Sequence, residues 1–188
     1  STACFASELR ACQQQAKALG VTLRSFVYPR NAIAHVDVLA GKDFIAYRGV
    51  PDRWFLRLPK AARKPAYLLD YLLFTPPAVA PMQRNGLWDF SASYFYGHRE
   101  GYGKLVPVAW RVHLVKQGLQ KAAKTQSIVH LWFHEFNLAS DPKALLKGLE
   151  AIFQRVQELR EAGKLENLTM EELASRLNAI SSKEAVRA

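Results

Sequence analysis

The sequence has 188 residues, enough for one domain with a substantial core, and its 49% hydrophobic and 22% charged residues read as globular rather than disordered. No apolar run approaches the roughly 18 residues needed to span a bilayer, so no transmembrane helix is expected. The formal net charge is +10. It is uneven: residues 1–64 carry eleven Lys and Arg against four Asp and Glu, residues 65–140 seven against four, and residues 141–188 eight against eight. A basic excess of this kind suits an acidic polymer or nucleic acid, or simply a solvated surface that aids solubility. No run is dense enough to be an arm, and neither an RNA-recognition signature nor zinc-finger spacing is present.

Residues Ser1 to Ala18 are polar with a helical pattern and hold no continuous apolar segment of the kind found in a secretory leader. The sequence lacks an initiating Met, as in a native chain that extends further upstream or has been cut. Cys4 and Cys12 lie eight residues apart in one predicted helix. That spacing separates them by about 12 Å along the axis, too far for a disulfide. Both read as packing residues, and the lack of a disulfide framework favours a reducing compartment such as the cytoplasm while leaving localisation open.

The elements follow in chain order. Phe5 to Leu19 reads as a helix with Phe5, Leu9, Cys12, Ala16 and Leu19 on one face, stopped by Gly20. Val21 to Tyr28 reads as a strand halted by Pro29. Asn31 caps a short helix through Leu39, and Phe44 to Arg48 forms the next strand. Residues 51–64 read as a basic loop, Tyr67 to Phe74 as a helix ended before Thr75-Pro76-Pro77, and Gly86 to Phe90 as a short strand. Residues 93–105, rich in Tyr and Gly, read as a mobile or ligand-facing loop. Val108 to Ala123 is a predicted helix, with Val108, Val112, Val115, Leu119 and Ala122 on one face. Ile128 to His134 reads as a strand buried on both faces. Asp141-Pro142 starts a helix that ends at Gly163, and Thr169 to Glu172 is a capping box for a last short helix, frayed after Ile180. Helices alternating with strands predict an α/β fold with a parallel sheet.

Functional side chains in such folds gather at the C-terminal ends of strands. His134 stands at such an end. His130, four residues earlier, lies about 13 Å away along a strand, too far to share one metal. A zinc-binding H-E-x-x-H helix is excluded because position 131 is Leu. His130 reads as a core residue. Tyr28-Pro29-Arg30-Asn31 also follows a strand and opens a helix, so its backbone amides are candidates for an anion or oxyanion and Arg30 for a carboxylate. The alternative is an ordinary turn with a surface arginine. Trp88-Asp89 can set a carboxylate beside an aromatic platform suited to a sugar, or be a buried Trp beside an exposed Asp. Trp54, Trp110 and Trp132 read as packing residues.

Three of these segments, in order, resemble the polysaccharide deacetylases of the NodB-homology family: Ser25-Phe26-Val27-Tyr28-Pro29-Arg30-Asn31, Gly86-Leu87-Trp88-Asp89-Phe90, and Val129 to Leu138 with His134 at its strand end. The resemblance spans roughly residues 5–178. It implies a distorted (β/α) barrel and metal-assisted hydrolysis of acetyl groups from an N-acetylated glycan. It further implies His134 as the acid that protonates the leaving nitrogen, Arg30 as a residue orienting a catalytic Asp, and Asp89 supporting the histidine's side of the pocket. Tyr28, Pro29, Asn31 and Trp88 would contact substrate.

The family's first two motifs, an Asp-Asp pair and an H-x-x-x-H cluster, are not found before Leu23, where Glu8 is the only acid and there is no histidine. The expectation is therefore one incomplete, open (β/α) barrel over residues 1–180 with a tail at 181–188. The full family member would use a divalent metal such as zinc, none would be bound by this chain alone, and acetyl hydrolysis would be lost. The expected partner is an acetylated polysaccharide or oligosaccharide, with self-association possible through open sheet edges. A non-catalytic carbohydrate-binding or interaction protein is the second reading. A basic nucleic-acid binder is the third, and nucleic acid is not the expected partner.

Overall fold

Seven α-helices and six short strands form among the described residues, 1–73 and 78–187, of a computed structural model, and the chain divides into two units. Unit one holds residues 1–49, 81–90 and 168–188, and unit two holds residues 50–80 and 91–167. The architecture is mixed α/β with a small, mostly parallel sheet, and no closed barrel forms among the described residues. No helix in these residues is long and apolar enough to cross a membrane.

In unit one, helix α1 (Thr2–Ala18) starts where the Ser1 hydroxyl accepts from the Cys4 N–H at 3.4 Å. It ends before Gly20, whose φ of 72° suits a residue without Cβ. Its predicted apolar face is only partly buried: Leu9 is core, whereas Leu19 is 80% exposed and both cysteines are exposed, not packed. Strand β1 (Ser25–Val27) is shorter than predicted, because only these residues find ladder partners, in β2 (Ala46–Arg48). The helix predicted from Asn31 shrinks to α2 (Val36–Ala40). Arg30, Asn31 and His35 all have positive φ, which breaks the helix before it can form.

Strands β3 (Met82–Arg84) and β4 (Leu87–Asp89) form an antiparallel hairpin closed by Asn85-Gly86, with φ of 50° and 77°. Positive φ at both central residues is the geometry of a type I′ turn, for which Asn-Gly is the favoured pair. The sheet order is β1-β2-β4-β3, with β1, β2 and β4 parallel. The core beneath it is Leu9, Tyr28, Leu39, Phe44, Tyr47 and Leu87. Helix α7 (Met170–Arg187) opens on the predicted capping box and continues past Ile180 rather than fraying there.

In unit two, α3 (Lys60–Leu73) begins well before the predicted Tyr67. The Lys64-Pro65 step looks like a boundary, yet the helix runs through Pro65, preceded by a 3-10 turn at Trp54–Arg57. Phe74 and the Thr75-Pro76-Pro77 stop lie outside the described residues. The stretch read as a mobile loop instead enters the core: β5 (Tyr94–Phe95) follows buried Ser93 and precedes buried Tyr96 and Gly97. β5 pairs in parallel with β6 (Leu131–Trp132). That pairing is all of the predicted strand 128–134 that forms, apart from an isolated bridge from Ile128 to Val79.

Helices α4 (Val108–Thr125) and α6 (Pro142–Glu161) pack on each other as the sequence pattern requires, burying Leu114, Val115, Leu119, Leu145, Leu149 and Ile152 with Tyr94 and Tyr96. Gly148 permits the close approach: a Cβ there would stand 2.2 Å from the Tyr96 hydroxyl, which donates to the Leu145 carbonyl at 2.9 Å. A single turn, α5 (Glu135–Leu138), joins β6 to α6.

Candidate functional site

The sheet of unit one gathers Tyr28, Tyr47, Arg48, Asp89 and Asn31 around the C-terminal ends of β1, β2 and β4. Asp89, the last residue of β4, is 4% exposed. Its Oδ2 accepts from the Tyr47 hydroxyl at 3.1 Å and lies 3.5 Å from Arg84 Nε across the hairpin. The carboxylate rests on Gly49, where a Cβ would meet Oδ1 at 1.7 Å. The glycine just after β2 thus makes the space the carboxylate fills.

Tyr28 meets Tyr47 edge to face at 6.0 Å. Burial pushes both hydroxyls up to about 12, with the charge of Asp37 adding at Tyr28, and the charge and hydrogen bond of Asp89 adding at Tyr47. Both tyrosines are therefore neutral donors over the ordinary pH range. The buried Tyr28 hydroxyl has no hydrogen-bond partner among the described residues.

The turn after β1 is strained and self-satisfied. Arg30 and Asn31 take successive left-handed conformations, which costs a non-glycine residue on the order of 1 kcal/mol or more. Arg48 Nη2 holds the turn by donating to Asn31 Oδ1 at 2.8 Å, and desolvation lowers the Arg48 guanidinium from its usual value. The N–H groups of Asn31, Ala32 and Ile33 donate to Tyr28, Pro29 and Asn31 carbonyls. In this conformation those three amides do not serve an oxyanion. Pro29 and Arg30 are exposed and Asn31 is half-buried.

Trp88 is half-buried, its ring stacked on Phe90 at 6.5 Å and 3°. Its indole N–H donates to Asn178 of α7 at 2.8 Å and so ties down the last helix. Asp89 proves to be the buried member of the Trp88-Asp89 pair.

His134 belongs to unit two. It is exposed two residues beyond β6, not at the strand end the sequence predicts, and caps α5 in a capping box with Asn137; the His134 backbone N–H donates to Asn137 Oδ1 at 3.1 Å. The Phe136 ring lies parallel to the imidazole at 4.9 Å and 9°, and Trp132 meets it edge to face at 5.7 Å. Trp132 in turn packs on Phe95 at 4.3 Å. Phe136 is 65% exposed and Phe133 37%. The expected doubly buried strand is thus a partly exposed aromatic ledge carrying a histidine. His130 donates its backbone N–H to Ser93 Oγ at 3.1 Å, consistent with a structural role.

Sequence reasoning missed four contributors. Tyr47 lies within the predicted strand Phe44 to Arg48 and Gly49 just after it. Phe136 and Asn137 lie beyond the predicted strand end at His134, although Asn three residues after His134 is a readable capping signal.

The resemblance implies a divalent metal, which needs at least three protein donors. Among the described residues no three His, Cys, Asp or Glu side chains come together to hold one. Asp89, the most buried carboxylate of unit one, is engaged by Tyr47 and Arg84. The described residues therefore do not fit the metal. The sequence matches no protein-family model, no curated protein and no solved structure.

Proposed function

We propose that this chain binds an acetylated polysaccharide of the kind the deacetylases it resembles act on, with His134 in the place of the family's acid to a leaving nitrogen, and that it does not complete the hydrolysis by itself. The observation that carries this reading is the exposed imidazole at the N-cap of α5, two residues beyond β6, stacked on Phe136 and braced by Trp132. Aromatic faces take up the apolar C–H face of a pyranose, while the imidazole beside them can hydrogen-bond a sugar hydroxyl or acetamido group. The capping bond to Asn137 fixes the backbone at His134, and Trp132 and Phe136 set the ring's orientation. The order along the chain of the Tyr28-Pro29-Arg30-Asn31, Trp88-Asp89 and His134 segments, which is the order of the family's motifs, supports the reading. The open, partial barrel belongs to the same proposal.

The test is titration of the purified chain with an N-acetylglucosamine pentamer, followed by calorimetry and by the Trp132 indole resonance, with acetate assayed in parallel. Saturable binding that weakens about fivefold in Phe136→Ala, equivalent to about 1 kcal/mol of lost ring contact, is the expected result. Absence of saturable binding at millimolar sugar, or binding indifferent to both Phe136→Ala and Trp132→Ala, refutes it. Acetate release is expected to be absent from this chain alone.

A further inference from the structure

Unit two contains a cavity of about 920 Å³ separate in its chemistry from the His134 ledge. This lies within the range of small-molecule sites. Its walls are aromatic: Phe55, Tyr67, Tyr71 and Phe95 all face it. Its ionic groups are mostly of one sign, with Arg63, Lys64 and Arg111 against Glu100 alone.

Arg111 is the informative member. It is 1% exposed, and among the described residues it makes no ion pair. Backbone carbonyls satisfy its guanidinium instead: Val106 at 3.2 Å, Gly97 at 2.6 Å, Gly103 at 2.6 Å, and His98. The bonds cinch residues 97–106 into the cavity wall, and Gly103 allows it, since a Cβ there would meet the His98 carbonyl at 2.5 Å. The guanidinium also sits 5.7 Å from the Tyr71 ring centroid. Carbonyl dipoles solvate the charge without cancelling it. A positive potential therefore remains inside a low-polarity cavity, where it acts more strongly than in water.

We propose that this cavity is a binding site for a small aromatic carboxylate. The ring lies among Tyr67, Tyr71 and Phe95, and the carboxylate is drawn by the Arg111 field and bonded by Arg63 and Lys64, since the Arg111 donors are already used. The half-buried Arg63 Nε donates to the Leu58 carbonyl at 2.9 Å, which anchors the side chain at the cavity. The site does not depend on the glycan reading.

The probe is 2-naphthoate, titrated into the full 188-residue chain by calorimetry and Tyr–Trp fluorescence, with 2-naphthalenemethanol as the uncharged analogue and decanoate as the non-aromatic anion. The expected result is saturable one-to-one binding of naphthoate, at least tenfold tighter than either comparator and weakened by added salt. Arg63→Gln/Lys64→Gln should lose at least tenfold in affinity with an unchanged far-UV spectrum. Arg111→Gln would release the 97–106 loop and is the less secure variant, so the double substitution carries the test. Phe136→Ala should leave naphthoate binding intact, which separates this site from the His134 ledge. Equal affinity for the alcohol, equal affinity for decanoate, no saturation by millimolar naphthoate, or indifference to the double substitution each overturns the proposal.

Discussion

Replacing Gly49 by Ala tests whether the buried carboxylate of Asp89 is built into the sheet of unit one. A Cβ at this position would stand 1.7 Å from Asp89 Oδ1, 2.6 Å from Cγ and 2.8 Å from Oδ2, so the carboxylate must move. It has little freedom to do so: Asp89 is 4% exposed and holds the Tyr47 hydroxyl at 3.1 Å. Overpacking typically costs about 1–3 kcal/mol, and a disrupted hydrogen bond to a charged group about 1.5–3 kcal/mol. The two losses share one displacement and do not add fully, so the expected destabilisation is about 3 kcal/mol. With a urea dependence of about 2 kcal/mol per molar, the unfolding midpoint should fall by about 1.5 M, read by circular dichroism. The partner variant sharpens the test. Asp89→Ala removes the three atoms nearest the new Cβ, so adding Gly49→Ala to that background should cost less than about 0.5 kcal/mol. A Gly49→Ala midpoint unchanged within error, or an equal cost in both backgrounds, would refute the packing argument.

Other expectations follow from the same geometry. Tyr28 and Tyr47 have folded values near 12 against 10.0 in the unfolded chain, so their contribution to stability is complete below pH 10 and falls away between pH 10 and 12. An ultraviolet titration should show both phenols ionising late, and ionisation near pH 10 without unfolding would contradict their burial. Glu172 is held below its ordinary 4.5 by hydrogen bonds from the Thr169 backbone and hydroxyl, so its share in starting α7 is present above pH 4.5 and lost as pH falls through the lowered folded value. The Thr169 amide resonance should follow that titration and stop doing so in Glu172→Gln. Gly86→Ala places a Cβ at a φ of 77° in the Asn85-Gly86 turn and should cost about 1 kcal/mol or more, with a Gly86→Asn variant less affected.

Long periodic segments were readable because their burial is set by their own pattern. α4 and α6 appear where apolar spacing and the Asp141 cap put them, and α1 covers its predicted span through Ala18 but starts earlier, at Thr2. The strands were harder for a physical reason. A strand's length is fixed by its neighbours: β1 ends where β2 stops offering partners, and β6 is limited to the two residues opposite Tyr94 and Phe95. No periodicity within Val21 to Tyr28 or Ile128 to His134 contains that information. The Asn85-Gly86 hairpin was legible and was passed over; the dipeptide alone specifies the turn, and the apolar residues around it define β4. At the candidate site the sequence supplied positions without partners. It placed His134 at a strand end, whereas the strand stops at Trp132 and His134 is the N-cap of α5, and it could not show that Phe136 would lie flat against the ring. It marked Asp89 and Trp88 as a pair, whereas the pleat sends them to opposite faces, one to Tyr47 and Gly49 and the other to Asn178. Alternation across a strand separates neighbours in sequence, and the side chains that act together are those that adjacent strands bring to one face.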